Sequence, residues 1–129
     1  KCHYCYPDTA ATGHFVPQTC PGKDMKHEQI KVQCANNSTM TSTATIALNI
    51  PGLPPQLTKA TAFKEMTKAL LSVPVLCDGD MEVTFRKHNM EVKDKDNNVL
   101  IQGKRDTESP LWIIPIGPEE KTTGQQSSE

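Results

Sequence analysis

Short runs of alternating apolar and polar residues, cut by turn residues every few positions, constrain this chain more than any other feature. Met81, Val83 and Phe85 alternate with Glu82, Thr84 and Arg86. Met90 and Val92 continue the pattern after a turn at His88-Asn89. A period of two places one residue set on a core face and the other in solvent, which is how a half-buried strand reads. Ile30, Val32 and Cys34 alternate in the same way, Asn36-Asn37 reads as a turn, and Ser42, Ala44, Ile46, Leu48 and Ile50 fall on one face of a long second run. Those two runs predict a hairpin, closed by the loop Pro51-Gly52-Leu53-Pro54-Pro55.

No segment before Leu57 has helical periodicity. Between Gln56 and Leu71 the apolar positions Leu57, Ala60, Phe63 and Met66 fit a short helix or an extended segment equally. Leu70-Leu71-Ser72-Val73 is a compact apolar run that suits a buried strand, and Val75-Leu76-Cys77 opens a short turn or helix that ends at Asp78-Gly79-Asp80. After a turn at Asp96-Asn97-Asn98, Val99 to Gln102 and Leu111 to Ile116 read as the last strands, Pro115 marking an edge or strand end. The sum predicts an all-β domain of short hairpins, a closed barrel or sandwich with at most one short helix. Its expected extent is residues 1–117. The Gly, Pro, Glu, Thr, Gln and Ser of residues 118–129 predict a disordered tail or linker.

Composition narrows the function classes. A chain of 129 residues fits one domain. A formal net charge of -1 with interspersed signs gives no reason to expect nucleic acid or a membrane surface as partner. No apolar run approaches the ~18 residues of a membrane span. The chain opens on Lys1 without a signal-peptide pattern, as a mature product or an excised piece would. Five cysteines, Cys2, Cys5, Cys20, Cys34 and Cys77, are an odd number without a dense framework, which points to free thiols in a reducing compartment. The overlapping sequons in Asn36-Asn37-Ser38-Thr39 carry no meaning in a chain kept inside the cell.

One acid stands out. In Asp8-Thr9-Ala10-Ala11-Thr12-Gly13-His14-Phe15 the residues after Asp8 are small, so backbone N–H groups can close on its carboxylate. Taken alone, an Asp-Thr pair is more often a plain turn. The stretch resembles the Asp, Thr or Ser, Gly, Ala, Thr signature of retropepsins, the aspartic proteases of retroviruses and retrotransposons. Gly13-His14-Phe15 is similar to the continuation found in copia-type elements, and Leu70-Leu71-Ser72-Val73-Pro74-Val75-Leu76-Cys77 to their Leu-Leu-Ser-Val motif. Val83-Thr84-Phe85, the stretch Val99 to Arg105, and Leu111-Trp112-Ile113-Ile114 resemble the later segments, in order, over about residues 6 to 116.

That resemblance implies a retropepsin-like homodimer in which each chain contributes one catalytic Asp8 and the pair shares a proton. It implies a peptide or polyprotein substrate, no cofactor, no metal, and a place in the cytoplasm or within a virus-like particle. Thr9, Ala10, Ala11 and Thr12 would support the active-site loop, with Thr9 bonding across the dimer. Leu70, Leu71 and Ser72 would pack behind that loop, and the turn at Asn36, Asn37 and Ser38 is the candidate flap. Position 10 is Ala where the family carries Gly. A negative φ there makes the methyl inexpensive, whereas a positive φ strains it by an amount of order 1 kcal/mol or more.

Rival readings remain open at this level. One is a retropepsin-like binding or dimerisation module with impaired catalysis. Another is a small zinc adaptor, with Cys2 and Cys5 joined by Cys20, His14 or His27, although no second ligand pair accompanies them. His27 and His88 sit in polar turns and read as solvated. Lys87, Lys93, Lys95, Lys104 and Arg105 are interleaved with Glu82, Glu91, Asp94, Asp96 and Asp106, which favours a mixed solvated face over a nucleic-acid site. Asp94 to Asn98 lacks the Gly and distal Glu of a calcium loop and reads as a β-turn.

Overall fold

The computed structural model describes residues 2–34 and 36–117. The expected tail, 118–129, lies outside them. The chain is mostly β. Its strands are β1 Tyr4–Asp8, β2 His14–Pro17, β3 Gly22–Lys26, β4 Lys31–Gln33, β5 Thr39–Thr41, β6 Ala44–Leu48, β7 Lys59–Phe63, β8 Ala69–Ser72, β9 Glu82–Phe85, β10 Asn89–Lys93, β11 Val99–Arg105 and β12 Trp112–Pro115. A 3-10 turn, Pro55–Leu57, precedes β7, and one short helix, α1 Val73–Asp78, follows β8. That helix is far too short to cross a membrane.

Among the described residues ten strands form one sheet in the order β3-β6-β7-β2-β8-β1-β12-β11-β10-β9, and β4 and β5 form a separate ribbon. Two features differ from the expected barrel of hairpins. The sheet is open: among the described residues β3 and β9 are its two ends, with no ladder between them. The β3 end is blunted against further pairing. β3 is polar and exposed along most of its length, and its register with β6 shifts between Lys23 and Lys26, around Asp24 at φ 56°. The second difference is at the centre. There β1 pairs β8 in parallel, and β2 pairs β7 in parallel. Such ladders join residues far apart in the sequence, Cys5 with Ala69 and His14 with Ala60, and cannot arise from hairpins.

The ambiguous segment after Leu57 is strand β7. Ala60 and Ala62 are buried between β6 on one side and β2 on the other, where small residues let the three strands pack. The long run ending at Ile50 keeps its predicted face: Ser42, Ala44, Ile46, Leu48 and Ile50 are all buried. It breaks into β5 and β6 at Ser42, whose hydroxyl donates to the Glu28 carbonyl and accepts from the Ile30 amide. Gly52 is the one described glycine at positive φ, 90°, and a Cβ there would run into the Leu100 carbonyl. The loop after β6 is thereby seated on β11.

The core runs along this sheet. Val16, Leu71, Leu76, Met90, Val92 and Ile114 are almost completely enclosed. Phe63, equally buried, meets Phe15 edge to face at 5.6 Å between ring centres. α1 starts on Ser72, whose hydroxyl accepts from the Val75 amide at 3.1 Å, with Pro74 in the first turn, where its missing N–H costs nothing.

Candidate active-site turn

β1 ends on Asp8, and the chain turns through Thr9 to Gly13 before β2 begins at His14. β1 and β2 are consecutive but do not pair. β8 lies between them, parallel to β1 and antiparallel to β2. The turn therefore arches over the end of a third strand. Asp8 stands in register with Ser72, the last residue of that strand.

Three hydrogen bonds fix the turn. The Ala10 amide donates to the Asp8 carboxylate oxygen Oδ1 at 2.8 Å, an Asx-turn that aims the carboxylate along its own backbone. The Ser72 hydroxyl donates to the Ala11 carbonyl at 2.6 Å. The Ser72 amide donates to His14 Nδ1 at 2.9 Å. The third bond settles the histidine's tautomer, because an amide can only donate. Nδ1 must be bare, the proton sits on Nε2, and Nε2 donates to the Leu57 carbonyl at 2.7 Å. His14 and Ser72 are both buried, and burial lowers the pKa of His14 below its ordinary value against a smaller opposing effect of the Leu57 carbonyl.

Asp8, Ala11, Leu70, Leu71 and Ser72 are thus brought together. Ala11 is buried, while Thr9, Ala10 and Thr12 are exposed, and Asp8 itself is partly so. Ala10 is not among the described residues with positive φ, so its methyl group imposes no backbone strain. Ala10→Gly should therefore bring no gain in fold or function. We expect a loss of about 0.4–1 kcal/mol through the freer unfolded chain, read by denaturant titration.

Asn36, Asn37 and Ser38 lie at the tip of the β4–β5 ribbon. Asn36 Oδ1 accepts from the Ser38 amide at 3.1 Å and from its hydroxyl, and Asn37 has φ 70°. The tip is exposed, and no hydrogen bond among the described residues ties it to the Asp8 turn.

The cysteines and histidines assemble differently from a zinc set. Cys5 and Cys20 belong to the core, and Cys2 packs against it. Burial pushes the Cys5 thiol up to about 12, and that of Cys20 upward too, with Cys2 adding to both. Both ring nitrogens of His14 are committed to backbone partners, and His27 is exposed. Among the described residues no group of three or more His, Cys, Asp or Glu is placed to hold a metal ion. A hollow of about 170 Å³ lined by Cys2, His3, Tyr4, Tyr6, Thr67, Lys68 and Ala69 lies at the other end of β1 from Asp8 and includes no carboxylate.

Several of the other charged residues make local contacts within the fold. Glu91 pairs with Arg86 at 3.1 Å and Lys93 at 3.3 Å, and the Arg86 hydrogen bond holds its carboxyl below the usual range. Asp94 accepts from the Asp96 and Asn98 amides and from the Asn98 side chain, so its carboxylate is used by its own turn. Arg105 donates to the Pro110 and Lys87 carbonyls and stacks over Trp112 at 4.4 Å, pinning the β11–β12 connection.

The sequence gives no hint that His14 links β8 to the 3-10 turn. What it does carry is a histidine opening an apolar strand, where an imidazole is buried and must find two partners. No family model, curated protein or solved structure matches this chain.

Proposed function

We propose that this chain is an aspartic endopeptidase of retropepsin type that works as a homodimer and cuts a retrotransposon polyprotein. The observation that carries the reading is the Asp8 turn: one carboxylate, partly exposed, on a loop clamped from below by a strand threaded between β1 and β2. A rigid backing is what a catalytic carboxylate needs, since positioning errors of an ångström cost orders of magnitude in rate. Each chain offers one such carboxylate, and a two-fold dimer would supply the second.

In that dimer the two Asp8 side chains face each other about 3 Å apart, and like charges that close share one proton. The ionised carboxylate takes a proton from a water as its oxygen attacks the scissile carbonyl carbon. The protonated carboxyl donates to the carbonyl oxygen, giving a tetrahedral gem-diol. Collapse of the diol expels the amine, which takes a proton from the dyad, and no covalent enzyme intermediate forms. The β4–β5 ribbon is the element proposed to close over the peptide.

The test is cleavage of a peptide library at mildly acidic pH, read by mass spectrometry, with Asp8→Asn beside the parent. Asp8→Asn should lose ~10²–10⁴-fold or more in rate with an unchanged fold. A variant as active as the parent would rule out the dyad. A dimer with no cleavage at all would leave a binding module as the reading.

A further inference from the structure

We propose that His14 is a positioning residue whose neutral form locks the Asp8 turn, so that protonation of His14 sets the acid limit at which the site stays assembled. Its effect on rate rests on the reading of Asp8 as catalytic; the lock itself does not.

The lock is a chain of contacts through one residue. Ser72 is held by His14 through its amide, at 2.9 Å, and holds the turn through its hydroxyl on the Ala11 carbonyl, at 2.6 Å. The same Ser72 is Asp8's register partner and the cap of α1. Its position therefore fixes the end of β1, the turn and the start of the helix together. His14 is the acceptor that holds Ser72 in place, and its own ring is anchored on Leu57 at 2.7 Å.

This arrangement works in one protonation state only. A proton on Nδ1 would turn the acceptor into a donor facing the Ser72 N–H, with both groups buried away from water. Either the ring or the β8 end must then move. The elements around His14 offer little charge to offset a cation. β8 and the 3-10 turn have no ionisable side chain, and β7 contributes the exposed Lys59. β1 contributes Asp8, Tyr4, Tyr6 and the buried Cys5, and α1 the exposed Cys77 and Asp78. None of these enters the lowering of the His14 pKa, which burial dominates.

The sign of the linkage follows. The unfolded or unlocked chain binds a proton at His14 near the ordinary value of 6.5, and the locked chain only below that. Between the two values the open form holds the extra proton, so the lock weakens as pH falls and is fully present above 6.5. In that window each unit of pH should raise the open population about tenfold. An aspartic dyad is favoured by mild acid, so the two requirements would oppose each other and produce an acid limb that does not belong to the dyad.

Glutamine separates the two roles of the imidazole. Its amide oxygen can accept from Ser72 while its NH₂ donates to Leu57, and it does not titrate. The experiment is hydrogen exchange of the Ser72 and Val75 amides from pH 4 to 8, corrected for intrinsic rates, in wild type, His14→Gln and His14→Leu. Wild type should lose protection about tenfold per unit below pH 6.5, His14→Gln should be flat, and His14→Leu should be unprotected throughout. The acid limb of kcat for peptide cleavage should move to lower pH in His14→Gln, with KM little changed. If His14→Gln loses protection over the same range as wild type, or wild type shows no pH dependence there, the proposal is wrong. If His14→Leu does not fold, the wild-type and Gln curves still decide. Absence of cleavage in wild type with the exchange pattern intact would overturn the protease reading and leave the lock standing.

Discussion

Refolding the protein together with a ninefold excess of Asp8→Asn should leave roughly a tenth of the peptide-cleaving activity per wild-type chain, although no wild-type chain has been altered. The expectation comes from counting dimers. If chains pair at random and only a dimer with two Asp8 carboxylates can share a proton, activity follows the square of the wild-type fraction. Activity per wild-type chain then falls in direct proportion to that fraction. An Asn in one half cannot hold or release the dyad proton, so a mixed dimer loses either the acid or the base. At an equal mixture the activity per wild-type chain should be about half.

This measurement tests the part of the proposal that the single chain leaves open. Asp8→Asn alone would also silence an enzyme with a complete site in each chain. Mixing distinguishes the two: a self-contained site keeps full activity per wild-type chain at every ratio. Asp8 is partly exposed and its main backbone bond is to Ala10, so the substitution does not remove buried structure and the variant should pair normally. Sedimentation of the mixture, with one species tagged, shows whether mixed dimers have formed. Linear retention of activity in proven mixed dimers would end the shared-dyad reading.

Much of the sheet was legible because its strands are half-buried and alternate. β9, β10 and β11 announce themselves through Met81 to Arg86, Met90 with Val92, and the turns between them. What alternation cannot convey is partnership. A period of two tells which face a residue takes, not which strand lies beside it. That is why the parallel ladders of β1 with β8 and β2 with β7 were invisible, and with them the open order of the sheet. β2 and β3 were missed for a local reason: β2 ends on Pro17, Pro21 directly precedes β3, and Gly22–Lys26 is nearly all polar. β7 was ambiguous because Leu57, Ala60, Phe63 and Met66 recur at helical spacing in a segment that could equally be extended, and only the burial of Ala60 and Ala62 between β6 and β2 decides. In the site, Asp8 could be picked out by its small neighbours. The bonds that hold its turn could not, since Ser72 is 58 residues from His14 and 61 from Ala11.

The threaded strand makes a second strong prediction, independent of chemistry. Leu71→Ala should destabilise the fold by about 2–5 kcal/mol. Leu71 is fully buried, sits in register with Pro7 of β1, and precedes Ser72 on the strand that both β1 and β2 flank. Truncation removes the transfer energy of the lost atoms and leaves a cavity. The site can collapse only a little, because ladders on both sides hold the strand in place. For a single domain with a total stability of about 5–15 kcal/mol, such a loss should lower the urea midpoint strongly without changing the slope. Leu71→Met, which keeps the volume, should cost less than about 1.5 kcal/mol. The cavity would also lie next to the residue that clamps Ala11, so amide protection at Ser72 should fall in Leu71→Ala even under conditions where the fold persists. A loss below about 1 kcal/mol would mean that β8 is not enclosed on both sides, and the backing proposed for Asp8 would go with it.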